Sequence, residues 1–139
     1  MEVPRVEAAL RALQPRQEGV NTDLGIRDGA GFLRMRRTTA PERWAVVWTP
    51  GDRWIALDVD GGFSLNHFDE EITDDELRRV LEQYVDIGLA YVVGEMAPTS
   101  PGLFRARVLR VKTDAGHFDL RQSIAAAVKD VFGVGRSRR

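Results

Sequence analysis

His67 and His117 are the only histidines in the chain, so acid–base chemistry near neutral pH would have to begin at one of them. The run Asn66-His67-Phe68-Asp69 offers a base beside an acid. Asp58 and Asp60 stand two apart in a β-rich run, which would put both on one strand face. Glycosidases and metal-dependent phosphotransfer enzymes need such facing carboxylates. Each residue also has a structural reading. A histidine at a strand end is commonly structural or merely exposed, and Asp60 opens an Asp-Gly-Gly turn. No HxH, HxxxH or HExxH spacing occurs, so no metal site is expected. Ser64, Ser100, Ser123 and Ser137 lie in neither GxSxG nor SxxK contexts. Gly29-Ala30-Gly31 and Gly61-Gly62 lack the spacing of phosphate-binding loops. No catalytic residue and no cofactor is therefore assigned. The competing reading is a small-ligand binder or enzyme using His67 with Asp58 or Asp60, and it requires those side chains to converge on a pocket.

A second cluster is acidic. Asp69, Glu70, Glu71, Asp74, Asp75 and Glu76 are six acids within eight residues. Thr73-Asp74-Asp75-Glu76 fits a capping box, with acids at the positive end of a helix dipole. Capping does not call for Asp69 to Glu71. That surplus suggests electrostatic docking of another protein with a basic surface. The expected partner-binding set is His67, Phe68, Asp69, Glu70, Glu71, Asp74 and Asp75.

Composition bounds the remaining classes. With 139 residues, 43% hydrophobic and 29% charged, the chain suits one domain around one core. Residues 1–135 are read as that domain and 136–139 as a disordered basic tail. The chain has no cysteine, which excludes disulfides, thiol nucleophiles, zinc–thiolate sites and iron–sulfur clusters. A reducing cytoplasm is the simplest compartment. The start, MEVPRVEAALRAL, is charged and amphipathic, and no later stretch approaches about 18 uninterrupted apolar residues. Neither a signal peptide nor a membrane partner is expected. Lys112 and Lys129 are the only lysines among 20 basic residues, a usage that suits a GC-rich bacterial genome.

Charge is unevenly spread. Residues 50–98 hold 12 acids against 3 basic side chains, and the rest of the chain holds 9 against 17. Arg34, Arg36, Arg37, Arg105, Arg107 and Arg110 would form one basic stripe if their two strands paired. A pI near 6.1 and the lack of any fingerprint argue against nucleic acid. Trp44, Trp48 and Trp54 are expected as core aromatics. Exposed, they would indicate a protein interface instead. A homodimer through a sheet edge or the tryptophan face is a third reading.

These residues need elements to hold them. Val6, Leu10 and Leu13 predict a helix over Pro4–Leu13, opened by proline and stopped by Pro15. Strands are expected at Asp23–Arg27, Phe32–Arg37, Trp44–Trp48, Trp54–Val59 and Phe63–Leu65, joined by Gly- and Asp-rich turns. A second helix follows Thr73, with Gly94 as its left-handed C-terminal residue. Residues 96–102 read as a loop. Leu103–Lys112 and His117–Phe118 read as strands. Asp119-Leu120-Arg121-Gln122 is a second capping-box candidate, opening a helix that carries Ile124, Val128 and Val131 to Gly133. The expected class is α+β, in the order α-β-β-β-β-(β)-α-β-β-α. An antiparallel sheet of five to six strands would carry three helices on one face.

Two resemblances bear on function. WIALDVDGGFSLNHFDEEITDDELRRVLEQYVDIGLAY, Trp54 to Tyr91, resembles the core of small actinobacterial immunity proteins from polymorphic toxin systems. That implies a non-enzymatic protein that binds and blocks a toxin of its own cell. The element order, with VEAALRAL and the DLGIRDG hairpin, is similar to the type III secretion chaperone-like fold. The hairpin over 54–66 is additional to that pattern. Both resemblances imply protein binding rather than catalysis.

Overall fold

The computed structural model describes residues 1–94 and 108–123. Its elements are α1 (Val3–Leu13), β1 (Val20–Arg27), β2 (Ala30–Arg37), β3 (Ala40–Thr49), β4 (Arg53–Val59), β5 (Phe63–Asp69), α2 (Asp74–Val93), β6 (Val108–Thr113) and β7 (Gly116–Gln122). All seven strands form one antiparallel sheet in the order β1-β2-β3-β4-β5-β7-β6. The class is α+β as expected. The expected count is corrected: there are seven strands, and two helices among the described residues.

The third helix fails at its start. Asp119 to Gln122 belong to β7, where Leu120 and Gln122 are buried and Asp119 and Arg121 are exposed. That alternation has a period of two, which is a strand's and not a helix's. Residues 124–133, the loop 96–102, the segment 103–107 and the tail 136–139 lie outside the described residues.

The first five strands form a meander because each reversal has the right residues. Asp28 and Gly29 both take positive φ, 54° and 75°, as a two-residue hairpin turn needs. At the next reversal the β2–β3 register shifts between Arg36 and Arg37, which leaves Pro41 outside the ladder. β3 therefore starts four residues before the expected Trp44. β5 runs to Asp69 because it pairs with β4 along its whole length. His67, Phe68 and Asp69 are thus strand residues, beyond the expected strand end at Leu65.

Both helices cover one face of the sheet. A methyl group built on Gly31 of β2 would meet Val6 of α1, and one on Gly88 of α2 would come within 3.2 Å of the Ala45 Cβ and 3.4 Å of Leu57. Glycine at 88 is what lets α2 lie this close. Beneath the helices Leu33, Met35, Val47, Ile55, Leu57, Leu109, Val111 and Leu120 are fully or almost fully excluded from water.

α2 begins as its sequence requires. Thr73 Oγ1 accepts from the Glu76 N–H and the Glu76 carboxylate accepts from the Thr73 N–H, a complete capping box. Its far end is built differently from the expectation. Gly94 has φ −85°, so no left-handed glycine closes the helix. The last turn carries no cation of its own, and β3 and β2 supply two. Arg43 Nε donates to the Tyr91 carbonyl at 2.8 Å, with its guanidinium 4.5 Å from the Tyr91 ring centre. Arg37 donates to the Gly94 carbonyl at 3.4 Å. Cations are favourable at this end of a helix.

Candidate functional site

Residues directly opposed in an antiparallel sheet share a face. The pairing registers therefore sort the candidate residues. His67 lies opposite Ile55, on the helix-covered side, whereas Asp58 lies opposite Ser64, on the other. Asp60 is held in its turn by the Trp44 N–H and by the Tyr91 hydroxyl, both at 2.9 Å. Asp58 accepts from Trp48 Nε1 at 2.8 Å. The base-and-carboxylate constellation of His67 with Asp58 or Asp60 is not assembled. Among the described residues, no group of three or more His, Asp or Glu side chains is placed to hold a metal ion.

The acidic segment divides by role. The Asp69 carboxylate accepts from the Glu71 N–H at 3.0 Å, closing the turn between β5 and α2. Asp74 meets the amino terminus of Met1 at 3.4 Å and Arg5 at 3.6 Å. Glu76 completes the cap, and Asp75 lies 3.7 Å from Arg78. Glu70 and Glu71 are exposed. Negative charge continues along α2 through Glu82 and Asp86. Burial raises the pKa of Asp86 above the usual carboxylate range, and the like charges of Glu82 and Asp114 raise it further.

The face opposite the helices carries the aromatic residues. Alternation along β2 to β5 turns Phe32, Trp44, Val46, Trp48, Trp54 and Phe68 to this side. The tryptophans are half-buried here and are not core residues; the core positions between them are Ala45, Val47 and Ile55. The Trp48 and Trp54 rings meet edge to face, 4.8 Å apart at 79°. Phe68 lies opposite Trp54 and is 77% exposed, an unusual position for so large an apolar side chain. The Arg27 guanidinium stands 5.7 Å over the Phe32 ring.

A hollow of about 180 Å³ opens among Arg27, Phe32, Arg34, Val46, Trp48 and Asp58. Burial raises the pKa of Asp58, and the Trp48 bond offsets part of that rise. A second hollow of about 150 Å³ adjoins it, between Asn21, Thr22 and Asp23 of β1 and Arg34 and Arg36 of β2. The same face carries Arg110, Lys112 and Arg121 at its far end, where Arg110 pairs with Asp119 at 2.9 Å. Arg34 and Arg110 are separated by the four intervening strands β3, β4, β5 and β7, so the expected single basic stripe does not form. Cations flank an aromatic centre instead.

Of the expected partner-binding set, Phe68 alone joins this aromatic face. His67 lies on the other side of β5, and the acids sit at the turn and on the helix layer. Sequence reading missed Trp44, Val46, Trp48 and Trp54 as surface residues. The signal available for them was parity: Trp44, Val46 and Trp48 alternate with the small residues Ala45 and Val47. Among the described residues no helix is long and apolar enough to cross a membrane. Compared with known proteins, the chain matches no family model, no curated protein and no solved structure.

Proposed function

We propose that the chain is a non-enzymatic cytosolic protein-binding module, acting as an immunity protein or chaperone-like partner would, and that it docks its partner on the open aromatic face of the sheet. The observation that carries this reading is Phe68, largely solvated and set beside the Trp48–Trp54 pair on a face the described helices leave bare. Tryptophan, other aromatics and arginine are the side chains that dominate binding energy at protein interfaces. The flanking Arg27, Arg34, Arg36, Lys112 and Arg121 define the partner's chemistry. It is a protein segment with apolar side chains for the aromatic centre and carboxylates for the rim.

The acidic layer supports a second docking surface, for a basic protein. Glu70 and Glu71 are exposed, and their side chains neither cap α2 nor close its preceding turn.

A photo-crosslinking residue placed at Phe68 or at Glu71 in the native cell separates the two surfaces. Titration of the captured partner, once purified, then reads affinity. Phe68→Arg is expected to weaken binding at least tenfold, and Glu71→Lys to leave it unchanged. Crosslinking from Glu71 alone, with Phe68→Arg binding normally, would transfer the function to the acidic layer.

A further inference from the structure

We infer that β1, the outer edge of the sheet, is a homodimerisation strand on which a second copy of this chain pairs antiparallel about Gly25. The inference is independent of what docks on the open face.

Among the described residues β1 is bonded on one side only, to β2. Exposed edges are usually blunted by charged side chains, above all lysine, by proline, a bulge or short length, and the two charges of β1, Asp23 and Arg27, are of opposite sign. β1 has eight residues, neither lysine nor proline, and an unbroken register with β2. Among the described residues the other edge is β6, which carries Lys112. Ile26, in the last turn of β1 before the hairpin, is 47% exposed.

The hairpin fixes which backbone groups point outward. A two-residue turn at Asp28-Gly29 closes on a bonded Arg27–Ala30 pair. Ladder bonds alternate along the strand, so Arg27, Gly25 and Asp23 turn their N–H and C=O to β2. Ile26, Leu24 and Thr22 turn theirs to the outer edge.

A twofold axis at Gly25 uses these groups fully. Leu24 of each copy faces Ile26 of the other as a bonded pair, and their side chains meet on the helix-covered side. Asp23 of each copy faces Arg27 of the other on the open side, which makes two ion pairs of opposite sign. Gly25 faces itself as the unbonded pair, where backbones come closest. Its missing side chain is replaced by the Phe32 ring of the same copy, 3.5 Å from where a Cβ would stand. Shifting the axis to Asp23 would set that acid against itself. Centring on Leu24 or Ile26 loses the ion pairs. Strand alternation forbids the registers between. The axis stands perpendicular to the sheet, so both open faces lie on one side of a continuous double-width sheet.

Strand-edge contacts are at the small end of protein interfaces, so a dissociation constant on the order of 10 μM is expected. Sedimentation velocity from about 1 μM to about 1 mM is expected to show a monomer–dimer equilibrium for the wild-type chain. Asp23→Arg and Arg27→Asp each set like charges opposite one another and are expected to weaken self-association at least tenfold. Mixing these two variants restores opposite charges at both positions, and the mixed dimer should return to within about threefold of wild type. Ile26→Lys should abolish the dimer. Circular dichroism of each variant establishes that the monomer remains folded. A wild-type chain that stays monomeric throughout overturns the inference. So does a dimer that either charge reversal leaves intact, or a mixture of the two variants that fails to associate.

Discussion

Leu57 and Asp58 are consecutive residues of β4, and they occupy different media. Leu57 has no exposed surface and lies under Gly88 of α2. Asp58 faces the other way, half-buried among Trp48, Phe32 and Arg34 beside a hollow. The first face is closed by complementary shapes at van der Waals distance. The second is held by a few directional contacts, and it leaves large apolar surface in water. A sheet that spent its aromatic residues on stability would place them under the helices. Here that layer holds aliphatic side chains together with Phe63, Tyr84 and Tyr91, while the three tryptophans stand half-buried on the other face.

Truncating each face in turn should separate the two most sharply. Leu57→Ala removes a fully enclosed side chain and should cost about 3 kcal/mol of folding stability, measured by urea denaturation. Phe68→Ala should change stability by less than about 0.5 kcal/mol on the same measurement. If Phe68→Ala proves comparably destabilising, the open face is a second core and not a docking surface.

A smaller effect separates the acids within their own segment. Thr73→Ala leaves the Glu76 N–H uncapped and should cost about 1 kcal/mol. Glu71→Ala should leave the melting temperature unchanged, since the Glu71 side chain takes no part in the turn or the cap. An equal loss from both would mean that the surplus acids are structural as well.

The smallest effect concerns pH. The folded pKa of Asp58 is raised by burial, so its ionised form is disfavoured in the folded state relative to the unfolded one. Its contribution to stability is full below the unfolded pKa and is lost as pH rises through the folded value. Asp58→Asn keeps an acceptor for Trp48 Nε1 without the charge. The variant should melt slightly above wild type at pH 7. That difference should shrink as pH falls toward about 4 and the wild-type carboxyl takes up its proton. A difference that widens toward acid would show that Trp48 holds the carboxylate more tightly than burial penalises it.

What the sequence disclosed follows from how local each signal is. The Asp28-Gly29 reversal and the Thr73–Glu76 cap are decided by neighbours in the chain, and both stand where their residues predict. The length of β5 is decided by β4. Asn66-His67-Phe68-Asp69 has no β-branched residue, and it is extended because Arg53 to Ala56 lie alongside to pair with it. Asp119 to Gln122 has the letters of a helix cap, yet in β7 Leu120 is drawn into the core and Gln122 Nε2 reaches the Gly61 carbonyl at 3.0 Å. Tertiary burial overrides capping chemistry there. The same limit hid the candidate site. Its aromatics come from four strands, and only the sheet order shows that they adjoin on the face the described helices leave bare. The acids, contiguous in sequence, were visible at once, and half of them, Asp69, Asp74 and Glu76, prove to close a turn, hold the amino terminus or cap a helix.

Among the described residues β5 and β7 meet through two residue pairs, Phe63 with Gln122 and Ser64 with Arg121, aided by the Ser123 N–H to the Gly62 carbonyl at 3.0 Å. This narrow seam has a kinetic consequence. Strands β1 to β5 are joined by successive hairpins, so each contact closes a short loop and the meander can zip in the order it is synthesised. The β6–β7 hairpin must find its place across the whole of α2, with little ladder to guide it. Docking of that hairpin is the high-contact-order step, and until it occurs the meander waits with the outer edge of β5 uncovered.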